Sequence, residues 1–275
     1  MKEIETLAKE LCKGAGIGCV VLSGSRTNGT SDNGSDYDLY AYSEAPVPIE
    51  GRRPVLDQFL TACEYDHQYW ETEDIGYLKN CGTKVEIMYR TYSFAEEEYD
   101  RLFHKCLARI GYSTCVWHNL ATSRMLHDED KRGAALLNRF AAAAYPKRLR
   151  DSIIAKNFPI LRDITSSYYN QVAAAIQRND CISVQHRSSA FLASYFDILF
   201  AINEKPHPGE KRLIRLAGSL CPVLPKGWDQ DVNEIVRLSA GINADLLVAL
   251  DRAAQELRNI LPTDIRLEGG PSVIE

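Results

Sequence analysis

The sequence predicts an α+β protein in which a small mixed sheet with flanking helices is followed by a helical bundle. Three observations predict it. Up to about residue 92, short apolar runs rich in β-branched residues alternate with Gly, Pro, Asn and Ser turn signals. Beyond it, apolar residues recur at helical spacing, and Ser93-Phe94-Ala95-Glu96 opens that part with the form of a capping box. At 275 residues the chain is long for a single core, so two domains, 1–92 and 93–275, are expected.

The elements follow in order. Residues 17–22 read as a buried strand ending at Ser23-Gly24-Ser25, and the polar stretch 26–35 as a turn or short irregular helix. Residues 37–42 read as a second strand, with acids on one side and apolar groups on the other, at the edge of a sheet. Pro46 and Pro48 break the chain before a helix over 55–63. Antiparallel strands are expected over 66–73 and 83–90, joined through Asn80-Cys81-Gly82. A helix over 93–107, a short strand near 124–128 and an alanine-rich helix over 131–144 come next. Helices are then expected over 147–156, 159–178, 182–203, 208–220, 229–240 and 243–260, with Pro206, Pro208, Pro222 and Pro225 at two corners. No internal repeat or low-complexity linker appears, so the two parts are expected to pack directly around a cleft.

The chemistry is concentrated where the first strand ends. Gly24-Ser25 forms a turn, and eleven residues after Ser25 comes Asp36-Tyr37-Asp38. Strand alternation puts Tyr37, Leu39 and Ala41 on one face and Asp36 and Asp38 on the other, the two acids roughly 6–7 Å apart along the backbone. Two ionised carboxylates that close repel each other, and a shared proton or a bound cation relieves the repulsion. The cation is the reading adopted. A third acid, Glu86, alternates with Val85 and Ile87, and three carboxylates converge if that strand pairs beside the first. Taken singly, a Gly-Ser turn is an ordinary turn and Asp-x-Asp an ordinary solvated strand face. Their order and spacing together carry the functional reading.

In turn, spacing, acid pair and later acidic strand, the first third of the chain resembles the polymerase-β-type nucleotidyltransferase superfamily. The pattern there is Gly-Ser, a spacer of about ten residues, Asp-x-Asp or Asp-x-Glu, then a third acid. In size and long helical remainder the chain is similar to the antibiotic nucleotidyltransferases acting on aminoglycosides and lincosamides, and to uncharacterised bacterial relatives. The resemblance implies an N-terminal nucleotidyltransferase domain and a helical acceptor-binding domain. It implies Mg²⁺ as cofactor, held by Asp36, Asp38 and Glu86, and ATP or another NTP as co-substrate. The implied reaction transfers NMP, AMP from ATP in the first instance, to a hydroxyl of a small acceptor such as an antibiotic, releasing pyrophosphate. In its two-metal form, one ion activates the hydroxyl and the other steadies the pyrophosphate. Glu86 either ligates the first ion or takes the hydroxyl proton. Gly24, Ser25, Arg26 and Ser35 are the nucleotide contacts implied by position, since a glycine turn presents N–H donors to phosphate.

Other residues are weighed beside these. The polar corner 203–212 makes Lys211 a candidate to reach the triphosphate across the cleft, the ordinary alternative being a solvated loop lysine. His186 and Arg187 are read as capping or pairing at a helix end before any ligand contact. Trp70, Glu71 and Glu73 are placed where a loop would overhang the site, and Trp70 is either core or a stacking surface for a base or sugar.

Composition narrows the classes. Apolar content of 45% and charged content of 25% are ordinary for a soluble globular protein. A formal charge of −5 argues against gripping long nucleic acid, which needs clustered Lys and Arg. Eight cysteines show no CxxC pair and no zinc spacing. With no signal peptide and no apolar run long enough for a bilayer, they read as free thiols in a reducing cytoplasm. The expected partners are a nucleoside triphosphate and a small hydroxylated acceptor, with no long nucleic acid and no membrane. The sequence does not give the oligomeric state. Three alternatives stand beside this reading: modification of a protein or tRNA, as in toxin- or antitoxin-like relatives; a non-catalytic nucleotide-binding regulatory module; and a structural cation such as Ca²⁺ at the acid pair.

Overall fold

The structure, a computed structural model, describes residues 1–27, 34–263 and 265. The chain forms two compact units that interleave in sequence. The first takes Met1–Asp100 and Val116–Ala144, the second Arg101–Cys115 and the chain from Tyr145 onward. This differs from a single division at residue 92: residues 93–100 stay with the sheet, and the chain returns to it after residue 115.

The first unit opens with α1 (Lys2–Ala15), which buries Ile4, Leu7, Ala8, Leu11 and Cys12 at helical spacing and ends at Gly16 in the left-handed conformation. Then come β1 (Cys19–Ser23), β2 (Tyr37–Ser43), α2 (Ile49–Phe59), β3 (Leu60–His67), β4 (Glu73–Leu78), β5 (Lys84–Thr91) and α3 (Tyr92–Tyr99). After the excursion through residues 101–115 follow α4 (Cys115–Thr122), β6 (Arg124–Asp128) and α5 (Arg132–Ala141). The strands form one mixed sheet in the order β3-β4-β5-β2-β1-β6, antiparallel throughout except for β2 against β5. On one face Val20, Leu22, Leu39, Ala41, Val85 and Ile87 join the apolar stripes of α1 and α2 in a single core.

Several elements depart from the sequence reading. The acidic strand β2 is interior, between β5 and β1, and not at an edge. The helix expected over 55–63 lies at Ile49–Phe59, and the chain turns extended at Leu60. The strand expected over 66–73 is instead two strands, β3 and β4, around a turn. The hairpin at 79–83 falls where the Asn80-Cys81-Gly82 turn was expected, with the Gly82 N–H bonded to the Leu78 carbonyl at 2.8 Å. Helix α3 is capped by Thr91, whose hydroxyl accepts from the Phe94 N–H at 3.2 Å, so Ser93 is not the cap. The helix gives way at Asp100 to a π-helical turn, Asp100–His104.

The second unit contains α6 (Lys147–Asn157), α7 (Pro159–Arg162), α8 (Tyr168–Gln177), α9 (Cys181–Ile202), α10 (Leu213–Leu220), α11 (Trp228–Leu238) and α12 (Asp245–Arg258). The helix expected over 159–178 is two pieces, because Ser167 caps a fresh start by accepting from the Asn170 N–H. Helix α9 is the central one, burying Val184, Phe191, Tyr195, Phe196, Ile198, Leu199 and Phe200. Its cap is Asp180, which accepts from the Ser183 N–H at 3.0 Å; His186 and Arg187 lie inside the helix. A buried polar knot holds the 101–115 segment. Asp197 of α9 accepts from the Ser113 N–H at 2.9 Å and the Ser113 hydroxyl at 2.6 Å. Asn157 of α6 accepts from the Gly111 N–H and donates to the Arg109 carbonyl, each at 2.9 Å.

Among the described residues, no helix is long and apolar enough to cross a membrane. All eight cysteines are free thiols.

Candidate metal centre

The parallel pairing of β2 with β5 sets Asp38 beside Glu86 and Tyr37 beside Val85. With Leu39 and Val85 turned into the core, the side chains of Asp38 and Glu86 rise from the opposite face. Asp36 stands one residue before β2. One carboxylate oxygen from each of Asp36, Asp38 and Glu86 lies within 4.8 Å of the others, and all three residues are half-buried. The donor set is oxygen only, without thiolate or imidazole, which suits a hard cation such as Mg²⁺ over zinc.

Strand β1 delivers the turn beside them. Ser23 pairs with Asp38 across the antiparallel ladder, and the chain then turns through a short 3₁₀ helix at Gly24–Arg26. Gly24 has a φ of 69°, and a Cβ at that position would overlap the Asp38 carboxylate. Glycine is therefore required twice, for its backbone and for its missing side chain. Gly24→Ala is expected to destabilise the first unit by about 2 kcal/mol, from left-handed strain and displacement of Asp38. Denaturant unfolding checks this, and an unchanged midpoint would contradict the close approach.

Ser25 is half-buried within the turn. Arg26 donates to the backbone carbonyls of Ser35 and Asp36, the latter at 2.8 Å, with its guanidinium 4.0 Å from the centre of the Tyr37 ring. Arg26 thus fastens the two ends of the polar loop together, and Ser35 enters as its backbone acceptor. Residues 28–33, part of the expected turn, lie outside the described residues.

Two of the neighbours, Lys84 and His67, were missed by the sequence reading, while Glu73 was placed near the site. Lys84, two residues before Glu86 and on the same strand face, places its ammonium on Glu86 Oε1. That hydrogen bond raises the Lys84 pKa, and the charges of Glu86 and Asp36 add to it. Glu73 of β4 pairs with Met88, one same-face step along from Glu86 and its partner Ile75. Burial raises the Glu73 carboxyl above its ordinary range, with the charge of Glu86 contributing. His67 has Nε2 2.8 Å from Glu64 and Nδ1 4.0 Å from Glu73. The Lys84-Val85-Glu86 alternation was a usable signal for Lys84. His67 carried none, because its meeting with Glu73 depends on a β3–β4 turn that the sequence does not locate.

Further along the same face, Arg90 grips Glu71 with two hydrogen bonds of 2.7 Å and stacks 4.1 Å from the Tyr40 ring centre. Trp70 is 90% exposed, which removes it from the core. Lys211 belongs to the second unit, exposed in a turn two residues before α10. The helix start expected at 208 comes five residues later, at Leu213.

No protein-family model and no curated protein matches the chain. Among solved structures, a nucleotidyltransferase-like protein from Exiguobacterium sibiricum 255-15 is similar at 10% identity, with a TM-score of 0.43. The match covers 94% of this chain and 73% of that one. At that level of likeness, the chemistry rests on the side chains themselves.

Proposed function

We propose that this chain is a divalent-cation-dependent nucleotidyltransferase. It moves the NMP group of an NTP, AMP from ATP in the first instance, to a hydroxyl of a small acceptor, and pyrophosphate leaves. The observation that carries the reading is the convergence of Asp36, Asp38 and Glu86 beside a turn whose glycine makes room for Asp38. Three carboxylates in mutual contact range are costly without a cation, and an oxygen-only set fits Mg²⁺. Asp36 and Asp38 would hold the ion, with Glu86 as a third ligand or as proton acceptor. When bound, the ion supplies positive charge to the triphosphate oxygens.

The chain's own groups do the rest. Ser25 and the Gly24–Arg26 turn offer donors to phosphate, and Arg26 keeps that loop closed on β2. Lys84 holds one oxygen of Glu86. The acceptor oxygen bonds to the α-phosphorus on the side opposite the pyrophosphate, whose P–O bond breaks, and the hydroxyl proton passes to a carboxylate or to water. Free thiols and a need for NTP fit action in the cytoplasm.

The test is pyrophosphate release from each labelled NTP, with Mg²⁺ and a panel of small hydroxylated acceptors. Release that requires Mg²⁺ and one class of acceptor is the expected result. Absence of Mg²⁺-dependent NTP binding would end the reading.

A further inference from the structure

The two parallel strands place four charged groups in a small rectangle. Asp38 stands beside Glu86, Lys84 lies one same-face step back along β5, and Asp36 lies just before β2 with a carboxylate oxygen within 4.8 Å of one from each of the other two acids. Three corners are the carboxylates of the candidate metal centre, and the fourth is a cation whose ammonium is already on Glu86 Oε1. A two-ion arrangement needs two cations about 3.5–4 Å apart, sharing these same three carboxylates. Lys84 uses one of the oxygens such a pair would share, and its ammonium repels any ion placed beside it. What remains for a divalent ion is the opposite side of the rectangle, at Asp36 and Asp38.

We propose that Lys84 supplies the positive charge that a second divalent ion would otherwise bring, so that the site takes a single divalent ion per chain when nucleotide is bound. The inference rests on the nucleotidyltransferase reading and adds a stoichiometry to it. Lys84 then serves as a fixed counter-charge to Glu86, and on nucleotide binding it lies within reach of the triphosphate. Lysine suits the task as a compact point charge on a flexible stem.

Counting bound Mn²⁺ by electron paramagnetic resonance, with a non-hydrolysable ATP analogue present at saturation, tests this without relying on turnover. The intact protein is expected to take up one Mn²⁺ per chain. Lys84→Met, which keeps length and removes charge, is expected to take up two, the second bound about tenfold or more tighter than in the parent. Lys84→Arg is expected to stay at one. Two ions in the parent protein, or a single ion in Lys84→Met at unchanged affinity, overturns the inference while leaving the nucleotidyltransferase reading standing. No Mn²⁺-dependent nucleotide uptake in the parent overturns both. The parent measurement stands alone even if a variant folds poorly, and thermal melts of the variants report that directly.

Discussion

Asp38→Asn is expected to lower pyrophosphate release by on the order of 10³-fold while leaving the fold intact. Asp38 is the carboxylate with the most fixed surroundings: Ser23 pairs with it on one side, Glu86 on the other, and Gly24 packs against its side chain. Asparagine has nearly the same shape, so nothing in that packing needs to move. What changes is charge, and with it the capacity to hold a hard cation beside a triphosphate. Removing one of three mutually repelling carboxylates also relieves strain in the metal-free protein, so the melting temperature without Mg²⁺ is expected to stay level or rise slightly. A turnover assay paired with a thermal melt reads both. Full activity in Asp36→Asn and Asp38→Asn alike would place the chemistry elsewhere.

The second large effect lies in the helical unit and concerns stability. Asp197 is buried, and burial pushes its carboxyl up to about 6, against a pull downward from the Ser113 bonds and Arg101. A carboxyl whose pKa is higher folded than unfolded binds its proton more tightly in the folded state. Its contribution to stability is full below its ordinary pKa of 3.8 and is lost as pH rises through about 6. At neutral pH the folded chain therefore carries a buried charge that costs about 3 kcal/mol relative to the protonated form. Asp197→Asn imitates that protonated form. Its carbonyl still accepts from the Ser113 N–H, and the Ser113 hydroxyl, already 3.2 Å from the Arg109 carbonyl, can donate there instead. The Asn157 amide loses only a 3.4 Å contact to Asp197 and keeps its bonds to the Arg109 and Ile153 carbonyls. The variant is expected to be more stable than the parent at pH 7 by up to about 3 kcal/mol, and about equal to it at pH 4. Denaturant unfolding at the two pH values checks the sign, and a less stable variant at pH 7 would refute it.

The parts of the fold legible in the sequence were those fixed by local pattern. The β-branched run before Gly24, the alternation around Asp38 and around Glu86, and the long apolar helix near 181–202 all sit close to where periodicity puts them. Convergence of the acids was legible as a condition, since it required only that two acidic strands be neighbours, and they are. What stayed hidden depends on contacts between distant segments. The interior position of β2 follows from its pairing on both sides, with β1 before it in the chain and with β5 some fifty residues later. Thr91 caps in place of Ser93 because the helix starts at Tyr92, directly where β5 ends. Lys84 stands two residues before Glu86, so its place on the same strand face was legible from the alternation alone. Asp197 gave no signal at all, as its partners come from a segment more than eighty residues away.

The route of the chain between its two units also bears on how the protein is made. Synthesis runs from the N-terminus, so β6 cannot complete the sheet until the ribosome has passed residue 128, by which time residues 101–115 have been translated. Those fifteen residues must then wait, with Ser113 and Gly111 lacking their final hydrogen-bond partners, until Asn157 and Asp197 have been translated. The first unit has all its residues by 144, so it can close while the 101–115 segment is still held out for helices not yet made.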